Sequence, residues 1–169
     1  GLDIVIAHSS EVVTRMIDEL RPDIMVVCGY YRILPERVLE KMPFGVWGIH
    51  NSLLPKYRGG SPLVWQIING ETELGSTFFR LSSGIDDGDI LHQVRFCPPA
   101  DVDIDVATRM IENLWIKELP PRWLELLRGE SVVWTQKHTE ATYCTQRSDR
   151  DGLIDWRWTA CEHDRFIRA

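Results

Sequence analysis

Apolar residues in this chain group into short continuous runs, separated by stretches in which they recur at helical spacing. The first run, residues 3–7 (D-I-V-I-A), predicts a short buried strand. Ser9 or Ser10 then offers an N-cap, and Val12, Val13, Met16, Ile17 and Leu20 fall on one helical face. Arg21-Pro22-Asp23 ends that helix. Residues 24–28 form a second apolar run, as in a strand covered on both faces. Pro35 opens a short helix carrying Val38 and Leu39, and residues 46–50 predict a third strand. Strands alternating with helices imply a parallel α/β sheet with right-handed crossovers.

Further along, the pattern changes. Residues 62–70 (P-L-V-W-Q-I-I-N-G) read as a helix closed by Asn69-Gly70. Residues 76–81 and 90–96 are strand-like, and the Gly- and Asp-rich segment 82–89 between them predicts a hairpin whose loop reaches back towards the sheet. Residues 104–127 carry the longest helical pattern, which Pro120-Pro121 should kink or break. The tail adds an extended piece near Thr142-Tyr143, then Ile154-Asp155-Trp156, and an amphipathic turn over 160–168. The fold class is therefore α/β, an open, mostly parallel sheet with flanking helices. It lacks its first βα units, because no glycine-bearing strand and turn opens the chain. A sheet short of a central strand would expose apolar edges and associate, which argues against a naturally short chain. The sequence does not fix the oligomeric state and leaves a homodimer open.

Composition and charge exclude several classes. A net charge of −6 argues against broad nucleic-acid binding, which needs a phosphate-neutralising surface. Cys28, Cys97, Cys144 and Cys161 are scattered without a C-x-x-C pair, so they read as reduced thiols of a cytoplasmic protein. No apolar run reaches membrane-span length, and the opening Gly1-Leu2-Asp3 lacks a signal-peptide pattern. The histidines show no paired-ligand spacing, so no metal is expected, and neither G-x-G-x-x-G nor G-x-S-x-G occurs.

What remains is a histidine at a strand end, followed by an unusual loop. In open α/β sheets, ligands bind beyond the carboxyl ends of the strands, where His50 falls. In the loop after it Pro55 adds stiffness, Gly59 and Gly60 allow a close backbone approach, and Lys56 and Arg58 place positive charge at the rim. Segment 82–89 supplies Asp86, Asp87 and Asp89 around Gly84 and Gly88. A carboxylate beside His50 would favour its protonated form and allow the pair to move protons or face a developing oxyanion. By spacing alone each feature also fits a bland role. His50 could be structural, and Asp86-Asp87-Gly88-Asp89 an ordinary turn.

The joint pattern resembles the formyltransferase family that uses 10-formyltetrahydrofolate, whose members act on methionyl-tRNA, glycinamide ribonucleotide and nucleotide sugars. The residues that carry it are Arg21 to Val27, Ile33-Leu34-Pro35-Glu36, the block from His50 to Gly59, Ile67 to Glu71, Gly84 to Leu91, Ile154-Asp155-Trp156 and Phe166 to Ala169. The resemblance implies a Rossmann-like sheet, with 1–140 as a catalytic domain, partial at its N-terminus. It makes 141–169 a linker and the start of a C-terminal region. His50 and Asp86 match the family's histidine and aspartate, which promote attack of an amine on the formyl carbon, stabilise the tetrahedral intermediate and relay its proton. By the same resemblance, the backbone around Ile85, Asp87 and Gly88 would contact the pterin. Ser52, Leu53, Leu54, Pro55, Lys56 and Arg58 would shape the acceptor pocket.

One position departs from the family. Gly48 stands where the family has an asparagine, and loss of one oxyanion donor typically costs about two to three powers of ten in rate. Residues 48 and 50 share a strand face while Asn51 points away, so Asn51 could substitute only if the strand has already ended. Thr77-Phe78-Phe79, residues 151–156 and residues 164–169 resemble the sugar-nucleotide branch. The expected acceptor is the amino group of a nucleotide-linked amino-deoxysugar. Methionyl-tRNA is the alternative, and it would call for a further domain. A catalytically impaired folate-binding homologue is the third reading.

Overall fold

The computed structural model describes residues 9–30 and 34–169. The strand expected at residues 3–7 lies outside them. Helix α1 (Ser10–Leu20) is capped by the Ser9 hydroxyl, which accepts from the Val12 N–H, and left-handed Arg21 ends it. Strand β1 (Met25–Val27), helix α2 (Glu36–Leu39) and strand β2 (Val46–His50) follow. After a two-residue strand, β3 (Arg58–Gly59), come α3 (Pro62–Ile68), β4 (Leu74–Arg80), β5 (Ile90–Phe96) and the long α4 (Ile104–Leu127). Strand β6 (Tyr143–Cys144) and helix α5 (Ala160–Arg168) complete the described elements, with short 3-10 turns at His138–Glu140 and Asp149–Gly152.

The main sheet has the order β1-β2-β4-β5. Among the described residues it is mixed, with β1–β2 parallel and β2–β4 and β4–β5 antiparallel. Alternation along β2 divides the core. Val46 joins Ile17, Val38 and Met42 under α1 and α2. Trp47 joins Phe78, Leu63, Ile111 and Trp115 under α3 and α4. Burying such a set is the main favourable term in folding.

Two expectations are corrected here. The apolar run at 24–28 predicts a strand covered on both faces, but Val26 is 38% exposed, because β1 is the edge strand among the described residues. Pro120-Pro121 does not break α4. Each proline removes a hydrogen bond to the carbonyl four residues back, but Ile116 and Lys117 are exposed, so the freed carbonyls lie on the solvent side of the helix.

Segment 141–169 is tied to the rest of the molecule. β6 pairs in parallel with β3, and Arg165 of α5 donates to the Ile68 carbonyl at the end of α3 at 3.0 Å. Arg168 donates to the Val102 carbonyl ahead of α4. No helix among the described residues is long and apolar enough to cross a membrane.

Candidate functional site

Strand β2 ends on His50, so the sheet itself fixes this side chain. His50 Nε2 lies 2.7 Å from the Tyr57 carbonyl, and a carbonyl only accepts, so Nε2 carries a proton. That leaves Nδ1 as the nitrogen free to exchange a proton. The loop that supplies the carbonyl is braced from beneath. Thr77 Oγ1 donates to Ser52 O at 2.6 Å, and accepts from Leu54 N at 3.1 Å and Gln93 Nε2 at 2.9 Å. Ser52 Oγ closes the turn by donating to Lys56 O at 2.7 Å.

Asp86 comes to His50 from the β4–β5 loop, with φ +48, a left-handed conformation that aspartate tolerates better than most residues. Its Oδ2 accepts from the Gly59 N–H at 2.8 Å and stands 3.5 Å from His50 Nδ1. That separation is longer than a hydrogen bond. Two glycines permit this assembly. A Cβ at Gly59, where φ is +100, would lie 2.3 Å from the Cys144 carbonyl of β6, and one at Gly88 would lie 1.9 Å from the Arg80 carbonyl.

The pair lines a cleft of about 660 Å³ at the carboxyl ends of β1 and β2, within the range of small-molecule sites. Gly48, Asn51, Gly59, Phe79 and Ile85 line it too. Gly48 lies on the His50 face, opposite Phe79. β2 has ended by Asn51, yet this residue is turned to the other face. Its Oδ1 accepts from Ser76 Oγ at 2.9 Å, and Ser76 in turn takes the Trp115 indole N–H at 3.0 Å. Asn51 therefore does not replace the side chain that Gly48 lacks.

The expected acceptor loop is placed differently from its sequence reading. None of Ser52, Leu53, Leu54, Pro55, Lys56 and Arg58 is among the residues lining the cleft. Ser52 and Leu54 are buried in the braced turn, and Leu53 packs on Gly75. Lys56 is exposed, and the Pro55 carbonyl accepts from Thr142 N at 3.3 Å. Arg58, expected as a charge at the rim, is only 2% exposed. Its guanidinium is held by the Gln136 side-chain oxygen at 3.1 and 2.6 Å and by the Tyr143 hydroxyl at 3.2 Å. The close approach at Gly59 and Gly60 serves β6 and Gln146 as well as the cleft. Of the residues expected at the pterin, Ile85 lines the cleft and is 54% exposed, whereas Asp87 and Gly88 do not line it. Asp87 accepts from Ser82 Oγ, and the Gly88 carbonyl faces Gln136.

The supporting roles of Gln136, Tyr143, Thr77 and Gln93 at the site have no signature in the sequence pattern that singles them out. Period-2 alternation marks Thr77 and Gln93 only as polar residues inside strands, and nothing local marks Gln136 or Tyr143. Around the site, burial followed by a hydrogen bond to Glu71 pushes the Tyr57 phenol up to about 12. Burial, with the Asp86 carboxylate adding to it, pushes the Cys144 thiol up to about 11. Among the described residues no three His, Cys, Asp or Glu side chains cluster as a metal site would require.

Comparison with known proteins places this arrangement. The formyl transferase family matches residues 6–111. Over 151 residues the chain is 38% identical to a methionyl-tRNA formyltransferase of Caldanaerobacter subterraneus subsp. tengcongensis, covering 89% of this chain and 49% of that protein. The chain thus spans about half the length of the curated relatives it matches. Among solved structures, a methionyl-tRNA formyltransferase from Clostridium thermocellum superposes with a TM-score of 0.78 at 23% identity, over 96% of this chain and 68% of that one. WlaRD, a sugar 3N-formyl transferase solved with dTDP and 5-N-formyl-THF, gives 0.76 at 21% identity, over 90% and 56%. These likenesses establish the Rossmann-like fold, and with the family match they establish that this chain belongs to the formyl transferase family.

Proposed function

We propose that this chain transfers a formyl group from 10-formyltetrahydrofolate to a primary amine. The observation that carries this reading is the His50–Asp86 pair, 3.5 Å apart in the wall of a cleft large enough for a folate and an amine to meet. Attack of the amine on the formyl carbon forms the new C–N bond and puts negative charge on the formyl oxygen. The nitrogen of the attacking amine must then lose a proton, and the departing folate nitrogen must gain one. His50 Nδ1 is the ring nitrogen available for this transfer, because Nε2 is committed to the Tyr57 carbonyl. Asp86 stabilises the imidazolium that forms. Ile85, exposed beside the pair, offers an apolar surface for a pterin.

The acceptor read from the sequence is a nucleotide-linked amino-deoxysugar. A second reading, methionyl-tRNA, rests on a specific observation, the name borne by relatives 38% identical to this chain. Four unpaired cysteines accord with a cytoplasmic setting. The test is an acceptor screen of the full-length protein with 10-formyltetrahydrofolate, comparing amino-sugar nucleotides with charged initiator tRNA. A protein that binds a folate analogue and formylates neither acceptor would overturn the transferase reading and leave a folate-binding homologue.

A further inference from the structure

We propose that Gln136 is a positioning residue that sets the distance between His50 and Asp86. Its carboxamide is 4% exposed and uses its whole hydrogen-bonding capacity. Oε1 accepts from Arg58 Nε at 3.1 Å and Nη2 at 2.6 Å, while Nε2 donates to the Asp86 carbonyl at 2.9 Å and the Gly88 carbonyl at 2.8 Å. Arg58 can only donate, so it fixes the carboxamide's orientation and aims the NH2 at the two carbonyls. The two sides of this bridge are the two sides of the reacting pair. Arg58 follows Tyr57, whose carbonyl holds His50, and the Asp86 carbonyl belongs to the residue that faces His50 Nδ1. Gln136 is carried there by the segment after α4, where Trp134 exchanges backbone hydrogen bonds with Ile90 at 2.9 and 3.0 Å. It thus clamps two loops from a third, distant stretch of chain.

This inference rests on the formyl-transfer reading for its kinetic consequence, but not for its structural one. Gln136→Glu keeps an acceptor for Arg58, as an ion pair, and loses both donors to the Asp86 loop. Gln136→Met loses both sides without adding a charge. A deficit common to the two variants therefore belongs to the donor amide.

Hydrogen exchange gives a local readout. The Gly59 N–H is held by the Asp86 carboxylate, whereas the neighbouring Gly60 N–H is held by the Cys144 carbonyl of β6. In both variants, released Asp86 should accelerate exchange at Gly59 with Gly60 unchanged, and kcat should fall about tenfold to a hundredfold with little change in the amine KM. A general loss of packing would expose both amides together. Wild-type protection at Gly59, or undiminished kcat, overturns the proposal. If the wild-type protein formylates no amine, the transfer reading fails by itself, and the exchange at Gly59 alone decides whether Gln136 holds Asp86.

Discussion

Leu81 occupies the space that a side chain at Gly48 would need, since a Cβ at position 48 would lie 2.6 Å from Leu81 Cδ1. Val27 Cγ2, at 3.3 Å, closes the other side. A family-like asparagine there requires the half-buried Leu81 side chain to turn aside. Gly48→Asn alone should cost about 1 kcal/mol of stability as Leu81 leaves its preferred rotamer. Combined with Leu81→Ala it should raise kcat, by up to about two to three powers of ten if the amide reaches the formyl oxygen. Thermal melting and steady-state kinetics on both variants check this. A double variant that folds without gaining activity would mean that the absent donor is not what limits the rate.

Asp86→Asn should separate charge from geometry. The asparagine oxygen can still accept from Gly59, so the loop stays in place, but the partner for a protonated His50 is gone. We expect kcat to fall by about two to four powers of ten with little change in melting temperature. Near-wild-type kcat would remove Asp86 from the proton transfer.

Arg58→Lys tests the buried guanidinium. An ammonium cannot reach Gln136 and Tyr143 through separate arms as the fork does. Leaving the buried Gln136 oxygen short of a partner should cost about 1–3 kcal/mol, read as a shift in the denaturant midpoint. Unchanged stability would mean that Arg58 is exposed to solvent in solution.

The Cys144 thiol, raised to about 11, has little thiolate at pH 8, and its reactivity should climb only as pH approaches that value. Exposed Cys97 and Cys161 should be alkylated first, by about tenfold or more, in a time course followed by mass spectrometry. Equal labelling of all three would contradict the half-buried placement of Cys144.

Local signals carried much of the fold. The apolar run ending on His50 predicts β2 with its observed ends, and the amphipathic spacing at 160–168 does the same for α5. Asp86 was legible because a Gly- and Asp-rich hairpin loop can only lie at a strand end, close to another strand end. Arg58 was misread for an equally physical reason. An arginine between a tyrosine and two glycines has the local appearance of a solvated loop, and the groups that bury it, Gln136 and Tyr143, follow 78 and 85 residues later. Side-chain partners that distant leave no periodicity to read. Pro120-Pro121 illustrates a similar limit, since whether a helix survives a proline depends on what surrounds the orphaned carbonyls.

The β3–β6 pairing places a condition on biosynthesis. β3 and its partner lie on opposite sides of α4 in the chain, so a growing polypeptide can close its main sheet and lay down the long helix before residues 143–144 leave the ribosome. Until then Gly59 has no strand beside it, and the loop that fixes His50 is open on one side. The strand beside Gly59 is therefore added only after the main sheet and α4 have been made. A protease nick just before Tyr143 would leave β6 held beside Gly59 only through its own pairing and the contacts of the segment that follows it, Arg165 with Ile68 and Arg168 with Val102.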